Sequence, residues 1–207
     1  MVSLGFPAVR VRKARQDDAT VAARLLFESA PDMYVRFSGG RERAIATLER
    51  AFGEPGNLAS GDVTWLAEVE GRPAAVMAGF PVAQAAVRSR AYLGLTLRGT
   101  PFWRWPGVLR LYWLGGRASP APRNDSFYID ALATDPEFRR RGAARALLDE
   151  AERQARAHGL PAVSLDTTMN NDGARALYAS AGYDEVVYRP PSRRLPGFVG
   201  LVKRVGQ

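Results

Sequence analysis

The chain has 207 residues, 46% of them hydrophobic and 24% charged, with a formal net charge of +8, which suits a globular domain long enough to bury one sizeable core. It contains no cysteine and a single histidine, His158, so disulfides, thiolate metal sites, a cysteine nucleophile and a multi-histidine metal centre are excluded. No run approaches the roughly 18–20 apolar residues of a membrane span, and MVSLGFPAVRVRKARQDD at the start lacks the apolar segment of a signal peptide. A cytoplasmic protein with no metal and no membrane partner is expected. The positive charge is mostly arginine and spread along the chain, which points to anionic ligands or surfaces but decides nothing alone.

In chain order, Ala8–Ala14 (AVRVRKA) alternates apolar and basic residues with the period of a half-buried strand. QDDATVAARLLFES follows as a helix, with Asp17 or Asp18 as N-cap and Val21, Leu25 and Leu26 on one face. A second helix, GRERAIATLERAFG, spaces Ala44, Ile45, Leu48, Ala51 and Phe52 helically and stops at Gly53. Val63–Val69 and Ala74–Val82 read as a hairpin turning at Gly71-Arg72-Pro73. Residues 83–124 are rich in arginine, aromatics and glycine and too long for a hairpin loop; they predict one or two amphipathic helices laid over the domain. Trp103, Trp105, Tyr112 and Trp113 either line a pocket or pack that segment onto the core, and packing is expected for most of them.

From Ser126 the pattern is regular. SFYIDALAT is a strand, DPEFRRRG a turn, and AARALLDEAERQARAHG a helix with Ala144, Leu147, Leu148, Ala151 and Ala155 inward. PAVSLDTT is a strand, NNDGARALYASAGY a short helix, and DEVVYRP and GFVGLVKR closing strands. Strands interleaved with helices, and hairpins at both ends, predict a mixed α/β (α+β) domain. Strand alternation places Tyr128, Asp130 and Leu132 on one face and Phe127, Ile129 and Ala131 on the other. His158 in ARAHGLP fits a helix end, with Gly159 and Pro161 as the stop, better than a serine–histidine dyad.

The stretch FRRRGAARALL sets Arg139, Arg140 and Arg141 at the first turn of a helix, the end that already carries partial positive charge. A multiply charged anion held by the backbone amides would resolve that conflict, and Gly142, Ala143 and Ala144 are small enough to let it approach. The pattern is neither a Walker A loop nor a dinucleotide GxGxxG.

Arg139-x-x-Gly142-x-Ala144 fits the R/Q-x-x-G-x-G/A signature of the GNAT superfamily of acyl-CoA-dependent N-acyltransferases. NDGARALYASAGY fits its N-x-x-A-x-x-L-Y-x-x-x-G-[FY] segment through Asn171, Ala174, Leu177, Tyr178, Gly182 and Tyr183. The chain resembles that family closely over Ser126–Val187, and by element order alone over residues 8–82. The resemblance implies a mixed, mostly antiparallel twisted sheet of six to seven strands flanked by helices. In one acetyltransferase domain, residues 8–82 would form the front half, 83–124 an insertion covering the acceptor site, 125–189 the acetyl-CoA-binding core and 190–207 a last strand.

It further implies acetyl-CoA as co-substrate. The backbones of Arg139 to Ala144 would meet the pyrophosphate, and Leu132, Ala133 and Thr134 the pantetheine arm. Asn171 would touch the arm or cap its helix, and Tyr178 would protonate the leaving thiolate. The general base is left among Asp130, Tyr128 and Glu68. The expected activity is acetyl transfer to a primary amine of a small molecule or peptide; the alternative is a non-catalytic acyl-CoA sensor. A pocket lined by the aromatics of 83–124 would take an apolar or aromatic amine. No nucleic-acid partner is expected, and homodimerisation is left open.

Overall fold

In the computed structural model, residues 8–192 and 196–206 are described; the reading of the first seven residues lies outside them. Seven strands form one sheet in the order β1-β2-β3-β4-β5-β7-β6. They are β1 (Val9–Lys13), β2 (Thr64–Val69), β3 (Arg72–Pro81), β4 (Ser126–Thr134), β5 (Ala162–Thr168), β6 (Asp184–Arg189) and β7 (Phe198–Arg204). Every neighbouring pair is antiparallel except β4 and β5, as a mixed, mostly antiparallel sheet requires.

The helices are α1 (Ala19–Phe27), α2 (Pro31–Ser38), α3 (Arg41–Gly53), α4 (Ala85–Arg98), α5 (Trp105–Ala118), α6 (Ala143–Ala157) and α7 (Asp172–Ser180). On one face of the sheet, Leu147, Leu148, Ala151 and Ala155 of α6 and Tyr178 of α7 pack on Met77, Phe127, Ile129, Val163 and Leu165. On the other, Leu25, Leu26 and Phe27 of α1 and Ala44 and Leu48 of α3 pack on Leu66, Val76 and Ala78. Each fully buried leucine stabilises by roughly 1.5–3 kcal/mol over its exposed state, so both faces contribute.

Helix α2 is not foreseen by the sequence reading, although Pro31 at its first turn and Gly39, left-handed at its end (φ 81°), are ordinary start and stop signals. Asp18 precedes α1 but does not cap it. Its carboxylate instead accepts from the Arg15 N–H (2.7 Å) and from two nitrogens of Arg12 (2.6 and 2.8 Å). The hairpin turns through Glu70 (φ 53°) and Gly71 (φ 76°), the paired positive φ of a tight two-residue turn.

Strand β4 departs from simple alternation. Ala78 pairs with Ala131 and Gly79 with Ile129, so Asp130 is an extra residue, a β-bulge. Beyond it the side-chain phase inverts. Phe127 and Ile129 face α6, and so does Leu132, while Ala131 and Ala133 join the α1–α3 face. The expected sharing of faces, Leu132 with Tyr128 and Ala131 with Ile129, is corrected accordingly. Gly79 permits the bulge: a Cβ there would lie 2.6 Å from Phe127 Cε1 and 3.1 Å from the Tyr128 carbonyl oxygen.

The packing expected of the aromatics in 83–124 also needs correction. Trp103, Trp105 and Trp113 are exposed, and Val108 is the buried residue of α5. Tyr112 is half-buried and its hydroxyl meets Ser89 Oγ at 3.1 Å.

Candidate functional site

Two features of β4 and its sequel build the site. The first is the turn into α6. Asp135 anchors it, donating its N–H to Ala74 O (2.9 Å) and accepting at its side chain from the Glu137 N–H (2.9 Å). Phe138 is buried beneath the guanidinium groups of Arg72 and Arg141, 4.9 and 5.5 Å from the ring centroid. Arg140 and Gly142 both take positive φ, 64° and 84°, a conformation that turns successive amides toward one side. No side chain caps α6 among the described residues, and its first helical bond runs from the Ala146 N–H to Gly142 O (3.0 Å). The earlier amides therefore point out of the helix end. Among the described residues the space above Gly142 is open: a Cβ there would meet Val9 Cγ2 alone, at 3.9 Å.

The arginines divide. Arg141 lies 4.0 Å from Glu70 and over Phe138, whereas exposed Arg139 and Arg140 form no ion pair among the described residues. A helix N-terminus with free amides and two unpaired cations suits a multiply charged anion.

The second feature is a fork. β4 and β5 are paired from Ser126↔Ala162 to Ile129↔Leu165 and part immediately afterwards. The first residue beyond the last rung is an aspartate on each strand, Asp130 and Asp166. From Asp130 to Thr134 the edge of β4 that faced β5 has no strand beside it among the described residues, while from Ala131 its other edge is paired with β3.

The Tyr128 hydroxyl donates to Asp166 Oδ1 at 2.5 Å. Asp130 keeps some exposed surface but has protein packed densely around it. Burial first, and the Asp166 charge second, push its carboxyl up to about 7. Burial raises Asp166 too, opposed by the Tyr128 hydrogen bond. Tyr34 of α2 and Tyr92 of α4 are raised by burial and by proximity to Asp130, and Tyr178 by burial and by Asp166. Four tyrosines thus surround two carboxylates at the mouth of the fork. Such groups, shifted by desolvation and like charge, are typical of sites that move protons.

Comparison with known proteins identifies the family. The family model described as Acetyltransferase (GNAT) family matches residues 27–183, three quarters of the chain and both features above. The chain belongs to this GNAT acetyltransferase family. Over 58 residues it is 36% identical to the [ribosomal protein bS18]-alanine N-acetyltransferase of Salmonella typhimurium, a match covering 28% of this chain and 39% of that protein; the chain thus spans well under half the length of that relative. A solved acetyltransferase superposes with TM-score 0.70 at 23% identity, over 95% of this chain and all of the other. An N-acetyltransferase from Staphylococcus aureus Mu50 gives TM-score 0.73 at 19% identity, over 94% and 100%. At those identities the two structures speak for the fold.

In this GNAT chain the residues expected at the site fall into three groups. Asp130, Tyr128 and Tyr178 stand around the fork, and Leu132, Ala133 and Thr134 lie on its unpaired edge. Asn171 is the N-cap of α7, accepting from the Ala174 N–H (3.2 Å) and donating to Thr167 Oγ1 (3.3 Å). Glu68 stands apart. It sits on β2, beyond β3 from the fork, and is held by Arg12 (2.6 Å), whose guanidinium also bridges to Asp18. That fork-shaped ion pair ties β1 and β2 to the start of α1, which accounts for a carboxylate in a mostly apolar strand.

Asp166, Tyr34 and Tyr92 are the residues the sequence reading misses. Asp166 ends the apolar run AVSL just as Asp130 follows FYI, so the signal that selected Asp130 was available for it.

Proposed function

We propose that this chain is an N-acetyltransferase that moves an acetyl group from acetyl-CoA to a primary amine by direct attack in a ternary complex. The observation that carries the reading is the fork: two aspartates and a buried tyrosine at one end of a free strand edge whose other end leads into an uncapped helix N-terminus. The open space over Gly142 and the unpaired arginines fit a pyrophosphate. The free edge of β4 at Leu132, Ala133 and Thr134 fits an extended amide-bearing arm. Acetyl-CoA, when bound, supplies the thioester carbonyl.

The chain's own residues then have distinct tasks. Amides from Arg139 to Ala144 bind the diphosphate, assisted by the side chains of Arg139 and Arg140. Asn171 keeps the α7 start ordered. Asp130, with its pKa near 7, is matched to take a proton from an ammonium at neutral pH, directly or through water. Tyr128 holds Asp166 in place, and the Asp166 charge helps keep Asp130 basic. Tyr178, whose pKa is raised by burial, stays protonated at Oη and can give that proton to a departing thiolate. A free backbone N–H on the β4 edge is suited to stabilise charge on a carbonyl oxygen.

Thiol release from acetyl-CoA, followed over a panel of small amines and peptides with free N-termini, tests the reading. Amine-dependent release is expected. Tight acetyl-CoA binding with no release on any acceptor would favour a cofactor sensor instead.

A further inference from the structure

Residues 83–124 contain seven arginines and neither aspartate nor glutamate, so this one segment carries most of the chain's excess charge. Within it, Val108 of α5 is buried, but five large apolar side chains of α5 and the turn before it are left in water. Trp105, Leu109 and Trp113 recur at i, i+4 and i+8 and share one face of the helix. They are 41%, 46% and 56% exposed, while Phe102 and Trp103, ring against ring at 5.4 Å, are 73% and 70% exposed. Scattered exposed apolar residues are ordinary; five large ones gathered on a helix and its leading turn mark an interaction surface. Arginines border them. Arg117 lies over the Trp113 ring at 3.9 Å. Arg88 and Arg98 reach Asp62 and Glu54, but Arg104, Arg110 and Arg117 form no ion pair among the described residues.

From this juxtaposition we infer that α5 with its leading turn is a docking surface for an anionic bilayer. The aromatics enter the boundary between headgroups and acyl chains, and the arginines meet lipid phosphates. Tryptophans bordered by arginines on one short helix are what an in-plane interfacial helix uses. Helix α5 has 14 residues, about 21 Å at 1.5 Å per residue, too short for the roughly 30 Å hydrocarbon core. No helix among the described residues is long and apolar enough to cross a membrane. The expectation of no membrane partner rested on the lack of a spanning segment, and a surface contact through α5 departs from it.

Charge complementarity separates the candidate occupants. A second copy would bring the same acid-free, arginine-bearing patch against itself, since a two-fold contact is self-facing. Nucleic acid offers phosphates, but its single strands stack bases on aromatics along a groove, and here an aliphatic side chain sits between two tryptophans on a convex helix. Helix α5 packs on α2 and α4, the helices that carry Tyr34 and Tyr92. Docking therefore brings the Asp130 side of the fork toward the bilayer.

Co-sedimentation of the full chain with phosphatidylcholine vesicles, with and without phosphatidylglycerol, tests the inference. Binding is expected with the anionic vesicles, weak with the neutral ones, and falling as salt is added. The double variant Trp103→Ser/Trp113→Ser should lose most binding while its unfolding midpoint stays within about 2 °C, because both side chains are already in water. Arg110→Gln/Arg117→Gln should weaken anionic-vesicle binding about thirtyfold. Absence of binding to anionic vesicles at low ionic strength would overturn the inference. So would a wild-type dimer that becomes monomeric in the tryptophan variant, or an affinity for single-stranded RNA, lost in that variant, exceeding that for vesicles.

Discussion

The two halves of β4 differ by one residue in register and by everything in chemistry. From Phe127 to Ile129 the strand is paired on both sides and its inward residues, Phe127 and Ile129, are buried against α6. From Asp130 to Thr134 it has lost one neighbour, inverted its phase, and gathered the titratable groups of the fork. The first half shows how a sheet is stabilised. The second presents unpaired backbone and partly desolvated carboxylates, both of which a fully paired strand would exclude.

The largest effect expected on this contrast comes from the turn that continues the forked half. Gly142→Glu puts a negative charge and a side chain at a positive-φ position in the open cradle, and acetyl-CoA affinity should fall by roughly a thousandfold or more, as several charge-assisted bonds are lost. Unchanged affinity by calorimetry would remove the cradle from the account. Next, Tyr178→Phe should lower turnover by about a hundredfold while acetyl-CoA affinity changes by no more than about twofold. Steady-state kinetics and calorimetry on the same preparation separate the two, and equal turnover would dismiss Tyr178 as the acid.

In the paired half the currency is stability. Ile129→Ala should destabilise by about 2–5 kcal/mol, read by denaturant unfolding, and half-buried Leu132→Ala, beyond the bulge, by less. The smallest effect is at Asp130. Its folded pKa, about 7, lies above the unfolded value near 3.9, so between those values the folded chain holds a proton the unfolded chain has released. That stability is present at low pH and is lost as pH rises through the window. Asp130→Asn should therefore gain roughly 1–2 kcal/mol over wild type at pH 8, a gain that shrinks toward pH 4. Thermal melts across that range check the sign.

The paired half of the molecule was largely legible in the sequence. Period-2 and period-3.6 patterns located every strand, and the helices other than α2, because burial of one face imposes those periods. Gly142, Asn171 and Tyr178 were legible as spaced signatures. The bulge was not, because an inserted residue leaves FYIDALAT alternating on paper; only the partner strand shows which residue is extra. Asp166, Tyr34 and Tyr92 were missed for a related reason. They come from three different elements, and their meaning arises from converging on Asp130. The exposed tryptophans of α5 were misread because apolar residues at helical spacing look the same whether the face they form meets the core or something outside the chain.

The central claim is that Asp130 and Asp166 form one proton-handling centre at the fork. The pH dependence of kcat/KM for amine-dependent thiol release, in wild type and in Asp166→Asn, tests it most directly. The account predicts an acid limb near pH 7 in the wild type that moves to lower pH in the variant without returning to the ordinary aspartate range, because burial outweighs the Asp166 charge in raising Asp130. A limb that stays where it was in Asp166→Asn, and persists in Asp130→Asn, would contradict it.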